Sequence, residues 1–404
     1  MTEPMSVERL RRDGEAFMRE LSLEFYQSLS GLKGEAQLQR VYEKYRAIFS
    51  DESLDVAREM FQGSAEGSDE RRSARIILDW QVESRSGQQL AALDEREIEW
   101  EGEKLVRLPD GREIPFQRVA IDIANSTDRE ERAMIESARV SVVARELAPL
   151  KRERLQRERD ITESVGIANG YNATWEMLSG ISLVGLRGEC EAFLHDTQSM
   201  WDDVASEVVK RVLGMNLRDA SRADALALFR AREFDEFFPA RDMETTIRGQ
   251  VAEMGIESSA YGRILFDTGE REGKRSRAFC APVKVPDEVY LVLRPHGGQT
   301  DWNTFLHEYG HALHFAYMRP DLPFEFRFMG DNSVTEGYAM LFDHLMQDAG
   351  WLRRYTGLEK ATTPAFLRSA AFEELHYLRR YCAKFIYETQ LYGGEQSFDA
   401  LPDM

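Results

Sequence analysis

Apolar positions over residues 6–63 recur at helical spacing. They predict two or three amphipathic helices, broken at Gly31, Gly34 and Ser50-Asp51. Residues 71–93 extend the pattern as a longer helix. The texture then changes. Two loosely alternating runs, 98–108 and 114–121, flank Pro109-Asp110-Gly111, which predicts a small β-hairpin over about 97–121. Helix resumes at Ser126-Thr127-Asp128, where capping residues cluster, and runs to about 164 with a dense, solvated charge pattern. Residues 166–180 read as a turn-rich connection around Gly170, Asn172 and Gly180. Helices are expected at about 186–213, 221–232 and 243–254, with an irregular aromatic stretch at 234–239. Residues 289–294 are short, β-branched and ended by Pro295, so they read as a strand. The chain is therefore expected to be mainly α, with a little β.

Composition narrows the function classes. A chain of 404 residues with 43% hydrophobic and 30% charged positions can form one large domain or two to three ordinary ones. Its formal net charge of −19 argues against non-specific binding to nucleic acid or anionic membrane, which need basic surfaces. Cys190, Cys280 and Cys382 are too few and too scattered for a disulfide framework or a cysteine zinc site, and fit a reducing cytoplasm. The first twenty residues lack the apolar run of a signal peptide, and no stretch approaches the length of a membrane span.

The candidate chemistry lies in Thr304-Phe-Leu-His307-Glu308-Tyr-Gly-His311-Ala-Leu-His314. On a helix His307 and His311 stand one turn apart on one face, so both imidazoles can reach one Zn²⁺. Glu308 is placed to handle a proton. Asp301 is the expected N-cap and Pro320 the expected stop. The plain alternative is a helix with two surface or hydrogen-bonded histidines, and His314 is expected to pack or hydrogen-bond nearby. Catalytic zinc takes three protein ligands. Glu336, 25 residues after His311 (336 − 311), is the best third candidate, at the start of a helix expected to reach 349. Ser333-x-x-Glu336 is also a capping box, which would tie Glu336 to its own helix start. Asp343, two turns further on the same face, can accept a hydrogen bond from a ligand histidine or simply face solvent.

Residues 165–390 resemble the thimet oligopeptidase / oligoendopeptidase F family of zinc metallopeptidases. The resemblance rests on Gly273-Lys-Arg-Ser-Arg-Ala-Phe-Cys280, on the extended motif with Gly310 and His314, and on Glu336 with an acidic residue seven later. It implies a large helical fold with a deep substrate channel and one Zn²⁺ per chain, held by His307, His311 and Glu336, with Glu308 as general base. It further implies hydrolysis of short peptides, with strand 289–294 bordering the channel as an edge that peptides can extend. Tyr290, His376, Tyr377 and Tyr381 are the candidates for contacting substrate, although the last three share the spacing of a packed helix face. Residues 1–160 are expected to form an N-terminal helical region containing the hairpin, and 161–404 the catalytic region. The family's oxyanion-binding tyrosine and histidine segment lies well beyond its glutamate ligand, and this chain stops at Ala400-Leu-Pro-Asp-Met404. The catalytic region therefore reads as C-terminally incomplete. Two alternatives follow: a catalytically impaired metal-binding homologue, and a helical zinc carboxypeptidase. The oligomeric state is left open.

Overall fold

Helix α1 (Val7–Leu29) begins at Ser6, whose hydroxyl accepts the Arg9 N–H, and buries Leu10, Phe17 and Leu21 along one face. The computed structural model describes residues 4–256 and 262–398, so the terminal stretch Ala400–Met404 lies outside the described residues. The chain is predominantly helical, with a two-stranded hairpin and a separate three-stranded sheet. No helix among the described residues is long and apolar enough to cross a membrane.

Helix α2 (Asp69–Glu103) is capped by Ser68 and runs ten residues beyond the expected end at 93. The predicted hairpin is correspondingly smaller: β1 (Leu105–Arg107) pairs antiparallel with β2 (Glu113–Pro115). Residues 98–103 alternate weakly, but tertiary packing decides their state. Trp100 sits edge-on to Phe116 at 4.7 Å and donates its indole N–H to Glu146, contacts that a helical turn provides. The stretch 166–180 is likewise more ordered than its glycines suggest. It contains a helix, Tyr171–Ser179, between Gly170 at φ 103° and Gly180 at φ 73°.

The second sheet contains β3 (Ile264–Asp267), β4 (Phe279–Lys284) and β5 (Glu288–Val292) in the order β3-β5-β4. β3 runs parallel and β4 antiparallel to β5. The strand expected as the open edge is thus the central one, and its hydrogen bonds are taken on both sides. β4 carries Pro282, which conceals it in the sequence pattern yet suits an edge position, where a missing N–H costs no ladder bond. Alternate residues of β5 serve different layers. Val289 and Leu291 join the core under the histidine helix, while Tyr290 turns to the other face and stacks on Tyr26 of α1 at 3.9 Å. The Tyr26 hydroxyl donates to Asp267 at 3.1 Å. Lys274, almost wholly buried, donates to the carbonyls of Asp267, Gly269 and Leu293 and to the Asp267 carboxylate. This saturation of its three N–H groups is what permits a buried ammonium.

Candidate metal centre

Helix α3 (Gln299–Ala316) carries the histidine motif. Trp302, Phe305, Leu306, Tyr309, Ala312, Leu313 and Ala316 form its buried stripe against the sheet and the residues around Phe238. The chain enters through Gly298, which sits at φ 91° and donates its N–H to Phe238 O at 2.8 Å. Asp301 is not the N-cap. It lies inside the first turn, and its carboxylate accepts the N–H groups of His296 and Gly297 at 2.6 and 2.9 Å, fastening the preceding loop to the helix. The indole N–H of Trp302 donates to Pro239 O at 3.2 Å, so the irregular aromatic stretch anchors the start of α3.

Helix α4 (Asn332–Asp343) crosses α3 at Gly310. A Cβ on Gly310 would stand 2.5 Å from Tyr338 O and 2.6 Å from Ala339 Cα, closer than real Cβ contacts. Only glycine allows this approach, and the approach carries Glu336 to the histidines. The capping-box alternative is resolved at the same place. The N-cap is Asp331, whose carboxylate accepts the Ser333 N–H at 2.8 Å, which leaves the Glu336 side chain outside any cap. The helix also ends earlier than expected, at Asp343, and passes into a 3₁₀ turn over His344–Gln347.

Glu336 Oε2 lies 3.4 Å from His307 Nε2 and 3.8 Å from His311 Nε2. One ligand atom from each of the three residues falls within 4.8 Å of the others. Four-coordinate zinc with bonds of ~2.0–2.1 Å sets its ligand atoms about 3.4 Å apart, so the spacing suits that ion. Both Nδ1 atoms are already engaged. His307 Nδ1 is 2.9 Å from Asp343 Oδ2, and His311 Nδ1 is 2.8 Å from Thr335 Oγ1. A proton held on Nδ1 leaves the Nε2 lone pair of the neutral ring free to bind. Burial opposes protonation of His307, but the Asp343 hydrogen bond and the nearby carboxylates outweigh it and raise its pKa. Burial lowers the pKa of His311.

Two partners escaped sequence reasoning. Thr335 is silent as a motif and emerges only from the helix crossing. His344 donates to the other oxygen of Asp343 at 2.6 Å, so that carboxylate serves two imidazoles.

Glu308 faces β4. Burial raises its pKa, opposed by His307, by a hydrogen bond with the Cys280 backbone and by the charge of Arg277. A carboxylate with raised proton affinity beside a metal site is suited to proton transfer. His314 stacks on Tyr338 at 4.6 Å and 9°, which joins α3 to α4.

The structure does not bring all the substrate candidates together. Tyr290 is turned away from α3 and hydrogen-bonds Glu288. His376, on helix α5 (Thr363–Tyr392), packs on Trp201 and Phe229 at 5.4 and 4.8 Å. Tyr377 and Tyr381 stack at 6.2 Å and are both exposed.

A histidine–glutamate cluster thus lies where two helices cross in a mainly helical fold, and solved structures share that fold. PZ peptidase A, in a structure with an inhibitor, superposes with a TM-score of 0.65 at 12% identity, over 98% of this chain and 72% of that one. A Bacillus anthracis protein assigned as an oligoendopeptidase F superposes with a TM-score of 0.55 at 12% identity, over 95% of this chain and 78% of that one. At such identity the likeness establishes the fold. No protein-family model matches the sequence, and no curated protein matches it.

Proposed function

We propose that the protein is a zinc metallopeptidase that cleaves short peptides internally. The observation that carries this reading is the convergence of His307 Nε2, His311 Nε2 and Glu336 Oε2 beside a half-buried Glu308. The shared fold with PZ peptidase A supports it. His307, His311 and Glu336 would hold the ion, which supplies Lewis acidity towards water and towards the scissile carbonyl. Asp343 keeps His307 in the tautomer that can bind, and Thr335 holds the His311 ring at its Nδ1. Glu308 takes the proton of the attacking water and returns it to the leaving amine. β4, the edge strand against α3, offers main-chain hydrogen bonds that hold a peptide with little regard to its side chains.

Hydrolysis of a quenched fluorescent peptide, before and after chelation and zinc add-back, tests the proposal. Glu308→Gln is expected to retain zinc and lose roughly 10²–10⁴-fold in turnover. Equal turnover in the two proteins sinks the mechanism. Cleavage positions along a peptide ladder separate an endopeptidase from a carboxypeptidase.

A further inference from the structure

The residues ahead of β4 are fastened at nearly every position. Lys274 is caged by carbonyls, the Arg275 N–H donates to Leu29 O at 2.8 Å, and Ser276 Oγ donates to Gln117 O at 2.9 Å. Ala278 is buried and Cys280 packs against the core beneath α3. Arg277, in the middle of this anchored run, is exposed. Among the described residues its guanidinium has neither a hydrogen-bond partner nor an ion-pair partner. Arg277 lies two residues ahead of β4 (279 − 277), the strand that packs against α3. In a chain with net charge −19, an exposed arginine on an anchored backbone, paired with no carboxylate among the described residues, is open to an anion from outside.

Position along the chain adds an upper limit to a distance. Arg277 is three residues before Cys280 (280 − 277), the residue whose backbone meets Glu308. Three residues of chain span at most about 10 Å. A peptide lying along β4 with its scissile bond near Glu308 would have a group two or three residues from that bond within reach of the guanidinium.

We propose that Arg277 is a specificity-determining residue that binds a carboxylate of the peptide two to three residues from the cleaved bond. The inference rests on the peptidase reading of the site. A planar guanidinium on a fixed backbone matches a carboxylate in a bidentate pair, which a lysine or a neutral residue cannot reproduce. The carboxylate has two sources in a short peptide, the free C-terminus and an aspartate or glutamate side chain.

The test is equilibrium binding of fluorescein-labelled pentapeptides to Glu308→Gln protein, read by anisotropy. It needs no turnover, so loss of hydrolysis in the wild type overturns the peptidase reading without deciding this one. Four peptides are compared: a neutral sequence as free acid, the same sequence amidated, and amidated versions with an internal Glu or Gln. Tighter binding of the free acid than of its amide by about tenfold identifies the terminal carboxylate. A similar advantage of Glu over Gln identifies the side chain. Arg277→Gln, added to Glu308→Gln, is expected to bring whichever ratio exceeds one back to one, and Arg277→Lys to restore part of it. Two results overturn the proposal: indifference to all four peptides, and a preference that survives Arg277→Gln. A uniform fall in affinity for every peptide does so too, because it assigns Arg277 to the general shape of the binding site and not to a carboxylate of the peptide. Arg277 is exposed, so the variants are expected to fold, and far-UV circular dichroism checks that they do.

Discussion

Asp343 Oδ2 receives the Nδ1 proton of His307 at 2.9 Å, while Asp343 Oδ1 holds His344 at 2.6 Å. One buried carboxylate therefore sets the orientation of a ring whose other nitrogen faces Glu336. Asp343→Asn keeps the shape but weakens this hold. Zinc affinity, measured by competition with a chromophoric chelator, is expected to fall roughly 10–100-fold. Unchanged affinity would mean that Asp343 only fixes His344.

Asp331 caps α4 while Glu336, on the same helix, is the proposed metal ligand, and this separates two effects. Asp331→Ala removes the N-cap of α4 and is expected to cost about 1 kcal/mol in denaturant unfolding, with little change in zinc affinity. Glu336→Gln should do the reverse, with near-normal stability of the apo protein and a larger loss of zinc than Asp343→Asn. A large stability loss in Glu336→Gln apo protein would return Glu336 to a structural role.

Gly310 permits the helix crossing that assembles the centre. Gly310→Ala places a methyl group against the backbone of Tyr338 and Ala339, which cannot rotate away. The expected cost is about 1–3 kcal/mol in stability, together with weakened zinc binding as α4 is displaced. Binding at wild-type strength in this variant would contradict the crossing described above.

Asp79 on α2 provides a pH signature away from the centre. Burial, with the charges of Glu83 and Asp331, pushes its pKa up to about 7, despite the opposing charge of Arg75. The folded state then holds a proton that the unfolded chain releases near ~3.9. The contribution of this group to stability is complete below that value and is lost as pH rises towards about 7. Asp79→Asn should therefore raise Tm by a few degrees at pH 8, and the gain should vanish near pH 4. A gain independent of pH would mean that Asp79 is not the group titrating.

Much of the architecture was legible because helical periodicity is a strong local signal. The buried stripe from Trp302 to Ala316 repeats over about four turns, and the histidines fall cleanly between its members. Residues 98–103 were misread because their weak alternation carries less information than the contacts of Trp100. β4 was invisible because a proline interrupts it, and β5 looked like an edge because nothing local says how many neighbours a strand has. At the centre, Ser333-x-x-Glu336 satisfied two mechanisms at once in the sequence. The backbone of Asp331 distinguishes them, since it adopts the extended conformation of a cap two residues ahead of Ser333. Thr335 had no signal at all: its meeting with His311 is a product of the α3–α4 crossing.

The contact of α1 with the sheet changes what the first thirty residues are for. Tyr26 stacks on β5, the Ser30 carbonyl accepts from Arg271, and the Leu29 carbonyl accepts from Arg275. Gly31, at φ 71°, lies so near the loop that a Cβ would fall 2.4 Å from Glu272 O. The loop that presents Arg277 is thus moulded against the end of α1, and its shape is inherited from residues 246 positions upstream (277 − 31). On the role proposed for Arg277, variation at positions 26–31 is expected to alter peptide choice, and directed evolution aimed at the centre alone would overlook it.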